Sequence, residues 1–251
     1  FILATTLYGQ ASKNFKYRFG GDLHKNSVIA ADHSLIINYS ISELNIVNST
    51  DENGTFYRIT IPGHTPSSDV GKPEFPMLCR LIRIPENCTY KVTITDVRTS
   101  KIKPSRKKIK GILFPVQESE TKDLQKKKAV FTIDKSIYST RGFIKTDTVK
   151  IEFLGTVRHK NLANLLISPV RYNPHSNTLE VITSMKIEIN YDKTGSKEQK
   201  ALFPESVAFN EVLGKGVLDY SSDDLITGYS DKPVKMVIVT DTAFKKKLQP
   251  F

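Results

Sequence analysis

Tryptophan is absent from the 251 residues, and only two cysteines occur, Cys79 and Cys88. Two cysteines exclude a disulfide framework and a four-cysteine zinc site. No run of about 18 apolar residues exists, so no helix-type membrane-spanning segment is expected. The sequence also lacks a GxSxG elbow, an HExxH pair, a phosphate-binding loop and any His or Cys cluster at metal-ligand spacing. Gly214-Lys215-Gly216 is too short to cradle a phosphate. A self-contained enzyme, a resident metal and a cofactor are therefore not expected from this segment. Arginine is missing from the last third: none follows Arg171. Helical patterning is scarce, with no amphipathic stretch of ten or more residues before position 200.

What is present is β-forming sequence. Short runs rich in Ile, Val, Thr, Tyr and Phe recur at 35–41, 55–61, 75–84, 90–97, 149–158, 162–171 and 179–191. The last is the clearest. Val181, Thr183, Met185, Ile187 and Ile189 fall near one alternating face, with Glu180, Lys186 and Glu188 interleaved. The stretch 172–177 before it is dense in turn formers and predicts a hairpin between two long strands. Many short strands separated by turns predict a mainly β fold, an antiparallel sandwich rather than βαβ units. Ser206 is placed to cap a short helix over 207–213, ended by Gly214.

Thirty-seven basic residues against 26 acidic ones give a net charge of +11. Such a balance raises the question of a nucleic-acid or membrane partner. The cations are dispersed, apart from clusters at 101–110 and 126–128, and no aromatic residues interleave with them. A charge run of that kind reads as a solvated loop, and no nucleic-acid partner is expected. The span 101–128, with Pro104 and Pro115, predicts a long exposed loop or a hairpin with a mobile tip. Cys79 reads as a core residue, with a Cys79–Cys88 disulfide across one hairpin as the alternative.

The two ends differ from the middle. Residues 1–11 (FILATTLYGQA) are apolar and small, and Gly9 and Ala11 suit a signal-peptidase site. They read as the tail of a signal peptide, so the protein is expected to be secreted or surface-exposed. The polar stretch 221–234 reads as a linker after a domain spanning 12–220. Residues 235–240 then form a short continuous apolar run, which suits a strand buried on both faces. Asp241 is placed to cap a helix after it, so 235–251 read as the first strand and helix of a truncated α/β domain.

Three stretches together resemble the prodomain of gingipain-family cysteine peptidases. They are Gly71-Lys72-Pro73-Glu74-Phe75-Pro76 with Leu81-Ile82-Arg83-Ile84-Pro85, then Ile167-Ser168-Pro169-Val170-Arg171-Tyr172-Asn173-Pro174, then Met236-Val237-Ile238-Val239-Thr240 with Phe244 and Phe251. The resemblance covers roughly residues 70–251. It implies a β-sandwich that packs on a downstream caspase-like catalytic domain, assists its folding and blocks its cleft. The Cys–His pair of that domain lies beyond this segment, so no residue here is expected to be catalytic. The partners implied are the protein's own catalytic domain and, for the full-length enzyme, protein substrates. In Arg-specific members a prodomain loop offers a basic side chain to the substrate pocket. The matching stretch here, 114–128, holds no Arg but offers Lys122, Lys126, Lys127 and Lys128. With no Arg near the domain junction, Lys197, Lys200 and Lys215 are the processing candidates. Two further readings stand beside this one: the amino-terminal structural module of a sortase-like type IX secretion peptidase, and an exported β-sandwich adhesion module.

Overall fold

A computed structural model of the chain describes residues 14–20, 27–31, 33–119, 130–157, 160–194, 207–219 and 239–241. In chain order its strands are β1 (Asn14–Arg18), β2 (Ser27–Ala31), β3 (Ser34–Ser40), β4 (Glu43–Asp51), β5 (Gly54–Thr60), β6 (Thr65–Pro66) and β7 (Pro76–Ile84). They continue with β8 (Cys88–Ile102), β9 (Ile112–Leu113), β10 (Val149–Val157), β11 (Lys160–Ile167), β12 (Val170–Asn173) and β13 (Thr178–Lys193). A 3-10 turn spans Pro104–Lys107, and two helices, α1 (Lys135–Tyr138) and α2 (Val207–Gly216), complete the described elements.

β13 organises the molecule. Its alternation buries Val181, Met185, Ile187 and Ile189 while Lys186 and Glu188 stay half-exposed. Between Ser184 and Asn190 it is paired on both edges, to β3 on one side and β8 on the other. β12 extends the β3 side by forming the expected hairpin with β13 across the 174–177 turn. β2 adds beyond β3 to complete five strands. A second sheet has the order β1-β4-β5-β9, antiparallel except for the β5–β9 pair. A third has the order β10-β11-β7-β6. Ile37 and Ile187 of the first sheet, Leu44 and Ile59 of the second and Ile82 and Leu165 of the third belong to one apolar cluster. Full burial of each such side chain contributes roughly 1.5–3 kcal/mol, so this shared core is the main stabilising term.

The fold is the expected antiparallel β-sandwich, with several local corrections. The run 162–171 is two strands. Pro169 has no N–H to donate to a ladder, and its carbonyl instead accepts from Ile182 N at 2.7 Å. The chain turns there from the third sheet into the first. The span 101–128 is not a free loop in its first half. β8 runs to Ile102, and Ile109, Leu113, Phe114 and Val116 are all buried. α2 continues through Gly214 to Gly216, because Leu213 and Val217 pack on Leu162 and outweigh glycine's poor helix propensity. Cys79 is exposed rather than in the core, and both cysteines are free. No hairpin joins them: β7 pairs with β11 and β6, whereas β8 pairs with β13.

The expectations for residues 1–11, for Ser206 and for the 221–234 linker lie outside the described residues. So does most of the 235–251 stretch, of which only Val239, Thr240 and Asp241 are described, all exposed.

Candidate functional site

Two stems, residues 114–118 and 130–134, bracket the lysine-bearing stretch. Both are fastened to the same segment, residues 71–74. The first stem runs antiparallel to it: Glu74 N donates to Phe114 O at 2.9 Å and Val116 N to Lys72 O at 2.8 Å. Pro73 lies opposite Pro115. That position is a non-hydrogen-bonded pair, where neither residue needs a ladder donor, so two prolines fit without an unmade bond. The second stem is held by Asp134 N donating to Gly71 O at 2.9 Å, while Gly71 N donates to Val116 O at 2.8 Å. Gly71 thus touches both stems. Its φ is +81°, and a Cβ there would lie 3.2 Å from Asp134 N and 3.3 Å from Thr132 Cγ2. Glycine supplies both the left-handed backbone and the space.

The stems are also tied to each other. The Gln117 side-chain amide acts as a surrogate strand residue: Nε2 donates to Thr132 O at 2.8 Å, and Oε1 accepts from Thr132 N at 2.8 Å. Phe114 and Phe131, one from each stem, meet Phe56 of β5, with ring centroids 5.5 to 6.1 Å apart. The Arg58 guanidinium lies over the Phe114 ring, 3.8 Å from its centroid, and bonds the Glu74 carboxylate at 3.3 Å. Burial holds the Glu74 carboxyl above its ordinary pKa, and Arg58 opposes that shift. A surface depression of about 610 Å³ opens beside these groups, lined by Arg58, Glu74, Phe114, Gln117 and Glu118 among others.

The base beneath is equally fixed. Asp134 caps α1 by accepting from Ser136 N and Ile137 N at 3.0 and 3.3 Å. Bonds from the Ser136 side chain and the Ile137 amide hold its carboxyl below its ordinary pKa. Tyr138, on α1, donates to Leu113 O at 2.6 Å. Asn177 sits at φ +46° in the β12–β13 turn. Its Oδ1 accepts from the Tyr57 and Tyr172 hydroxyls at 2.7 and 3.0 Å, and its Nδ2 donates to Gly111 O at 2.9 Å. The β9 segment that leads into the first stem is therefore locked to β5, to α1 and to the hairpin turn.

Residues 17–223 match the model of the family described as Propeptide_C25. The chain belongs to that family. Among curated proteins, the propeptide is 28% identical over 216 residues to Lys-gingipain from Porphyromonas gingivalis. That alignment covers 85% of this chain but 12% of the relative, so the chain spans about an eighth of the length of the curated protein it matches. Among solved structures, it resembles gingipain K of P. gingivalis, determined to explain zymogenic latency: TM-score 0.63, 24% identity, 71% of this chain and 98% of that one. It also resembles a chain in the complex of P. gingivalis RgpB pro- and mature domains: TM-score 0.62, 14% identity, 77% of this chain and 97% of that one. The mainly β architecture of the propeptide is that of these prodomain structures.

Of the residues singled out from sequence, Lys122, Lys126, Lys127 and Lys128 lie outside the described residues, between the two stems. Lys197 and Lys200 also lie outside them. Lys215 is described: it is exposed, in the last turn of α2. Among the described residues no group of three or more His, Cys, Asp or Glu is placed to hold a metal ion. Sequence reading missed Gln117, Phe131 and Thr132, which join the stems, and quoted Gly71 only as part of a motif, without this role. A signal existed in the two apolar-aromatic triplets, Phe114-Pro115-Val116 and Val130-Phe131-Thr132, that flank the lysine run.

Proposed function

We propose that this chain is the amino-terminal propeptide of an exported gingipain-like cysteine endopeptidase. In this reading it blocks the active-site cleft of the catalytic domain that follows and assists that domain's folding. The observation that carries the reading is the clamped root. A segment inserted into a protease cleft resists turnover when both its ends are fixed, since fixing lowers the entropy lost on binding and keeps the cut ends together. Here both ends of 120–129 are fastened to residues 71–74 and to each other. The relative's printed name, Lys-gingipain, speaks for a lysine as the plug, and the bracketed stretch offers Lys122, Lys126, Lys127 and Lys128 with no Arg.

Processing follows the same chemistry. A protease binds its substrate extended, and nicking concentrates in exposed irregular segments. Lys215 is helical, so it is cut only after the last turn of α2 unwinds. Lys197 and Lys200 remain the other candidates, and the residue at the cut is read from the mass of the released fragment.

The test mixes the purified chain with its separately prepared catalytic domain and measures inhibition of peptide hydrolysis. Replacing all four loop lysines by Ala is expected to weaken inhibition by about 30-fold or more, the scale of an interface anchor. The single variants then name the plug. Equal inhibition by the fourfold variant would overturn the lysine plug, and no inhibition by the unaltered chain would overturn cleft blockade itself.

A further inference from the structure

The 3-10 turn carries a second feature. Lys101, Lys103, Arg106, Lys107, Lys108 and Lys110 are all exposed, and no acidic residue occurs between Asp96 and Glu118. Among the described residues none of the six takes part in an ion pair. Cation clusters usually sit on loops free to spread. This one does not. Ile102, Pro104 and Ile109 are buried beneath it. Lys108 closes the turn at φ 58°, its N–H bonded to Ser105 O at 2.9 Å. Asn48 of β4 donates to Lys110 O at 3.0 Å, and Gly111 is packed against Thr55 of β5. The fold thus fixes the backbone that carries six like charges, at the turn and just beside it, against their mutual repulsion.

We propose that this turn is a docking surface for an anionic lipid membrane, the headgroup phosphates and carboxylates meeting the six cations. Two observations select that partner. The turn's apolar residues, Ile102 and Ile109, face the body, so it offers no apolar anchor of the kind that fills a protein–protein interface. It carries no aromatic residue on which a nucleic-acid base could stack. A membrane offers a flat, multivalent anionic surface. Such a surface needs only charge density, and each Lys or Arg near it strengthens binding by about fivefold. A polybasic patch alone gives reversible, salt-sensitive attachment rather than permanent anchoring.

The test is co-sedimentation of the 251-residue chain with vesicles of phosphatidylcholine containing about 30% phosphatidylserine, at about 0.05 M salt and again at about 0.5 M. Binding is expected to the anionic vesicles at low salt, little at high salt, and none to pure phosphatidylcholine. A Lys103→Gln, Arg106→Gln, Lys107→Gln variant is expected to lose about a hundredfold in partitioning, three steps of about fivefold. A control carries the same charge loss elsewhere: Lys91→Gln, Lys135→Gln, Lys145→Gln. It is expected to lose less than about threefold, because those lysines are dispersed. Thermal melting of both variants checks that they fold. Equal losses in the two variants would show a net-charge effect and overturn the turn as the site. So would equal binding to neutral vesicles. Tighter binding to a short DNA duplex than to the anionic vesicles would overturn the choice of partner.

Discussion

The Gln117 clamp permits a quantitative test that is independent of any protease. Gln117→Ala removes both bonds to the Thr132 main chain and leaves its N–H and C=O without their partners. A net hydrogen bond is worth about 0.5–1.5 kcal/mol. These two are solvent-accessible, so the lower half of that range applies and the pair contributes about 1–2 kcal/mol to keeping the stems closed. The aromatic contacts and the Gly71 bonds remain, so the change is local rather than global. Native-state hydrogen exchange reads it directly. The Thr132 amide is expected to exchange roughly five- to thirtyfold faster in the variant, the conversion of 1–2 kcal/mol. The Ile187 amide, in a strand paired on both edges, should keep its rate. A Thr132→Ser variant retains the clamp, which uses main-chain atoms only, and should stay within about twofold of wild type. An unchanged Thr132 rate in Gln117→Ala would show that the amide does not close the root. An equal acceleration at Ile187 would show that the loss is global.

Other expectations are as direct. Gly111→Ala would place a Cβ 1.9 Å from Thr55 O, at φ +86°, so the chain is expected to lose more than about 3 kcal/mol or fail to fold, as read by urea unfolding. Asn177→Ala removes the acceptor that two buried tyrosine hydroxyls share and the bond to Gly111 O, and is expected to cost about 2–4 kcal/mol, whereas Tyr57→Phe, which removes one donor, costs about 1 kcal/mol. Burial, helped by Arg80 and opposed by the bond to Pro62 O, holds the pKa of His64 below its ordinary 6.5 while Tyr39 bonds its Nε2 at 2.7 Å. The folded state then binds fewer protons than the unfolded one, so stability is present above about 6.5 and falls as pH drops below it. A His64→Gln variant should show a flatter melting-temperature profile over that window, and parallel profiles would refute the assignment. Alkylation with a thiol reagent should label Cys79 rapidly and Cys88 more slowly, and mass spectrometry without reductant should find two free thiols.

Much of the sheet structure was legible because alternation reports burial. The runs at 35–41, 55–61, 75–84, 149–158 and 179–191 correspond to β3, β5, β7, β10 and β13. β4 was hidden by Asn45 and Asn48, poor strand formers whose places are set by pairing to β1 and β5. β6 and β9 have two residues each and exist only through their partners. Cys79 could have been placed outward: Ile82 and Ile84 mark the inward parity of β7, and 79 has the opposite parity. The root of the lysine stretch was legible only in outline. Its composition singled out the lysine run that the two stems bracket. Nothing local, however, tells that the Gln117 side chain substitutes for a strand neighbour 15 residues away, or that Gly71 fills a space between two stems.

The end of the described chain has a mechanical consequence. α2 packs through a small cluster of Leu162, Leu213 and Val217, separate from the main core, and Leu218 just after it packs on the main core. They are held too by a few bonds to the edge of β7: Leu218 N to Leu81 O at 2.8 Å, and Arg83 N and Nη2 to Asp219 at 2.9 and 3.0 Å. A pull applied beyond Asp219 loads these contacts first. These contacts are few beside the ladder that pairs β7 to β11 along 78–84, so they are expected to yield before it. The sandwich therefore has a built-in fuse at its carboxyl side. Tension applied there is expected to peel off one helix and leave the scaffold beneath the clamped root paired.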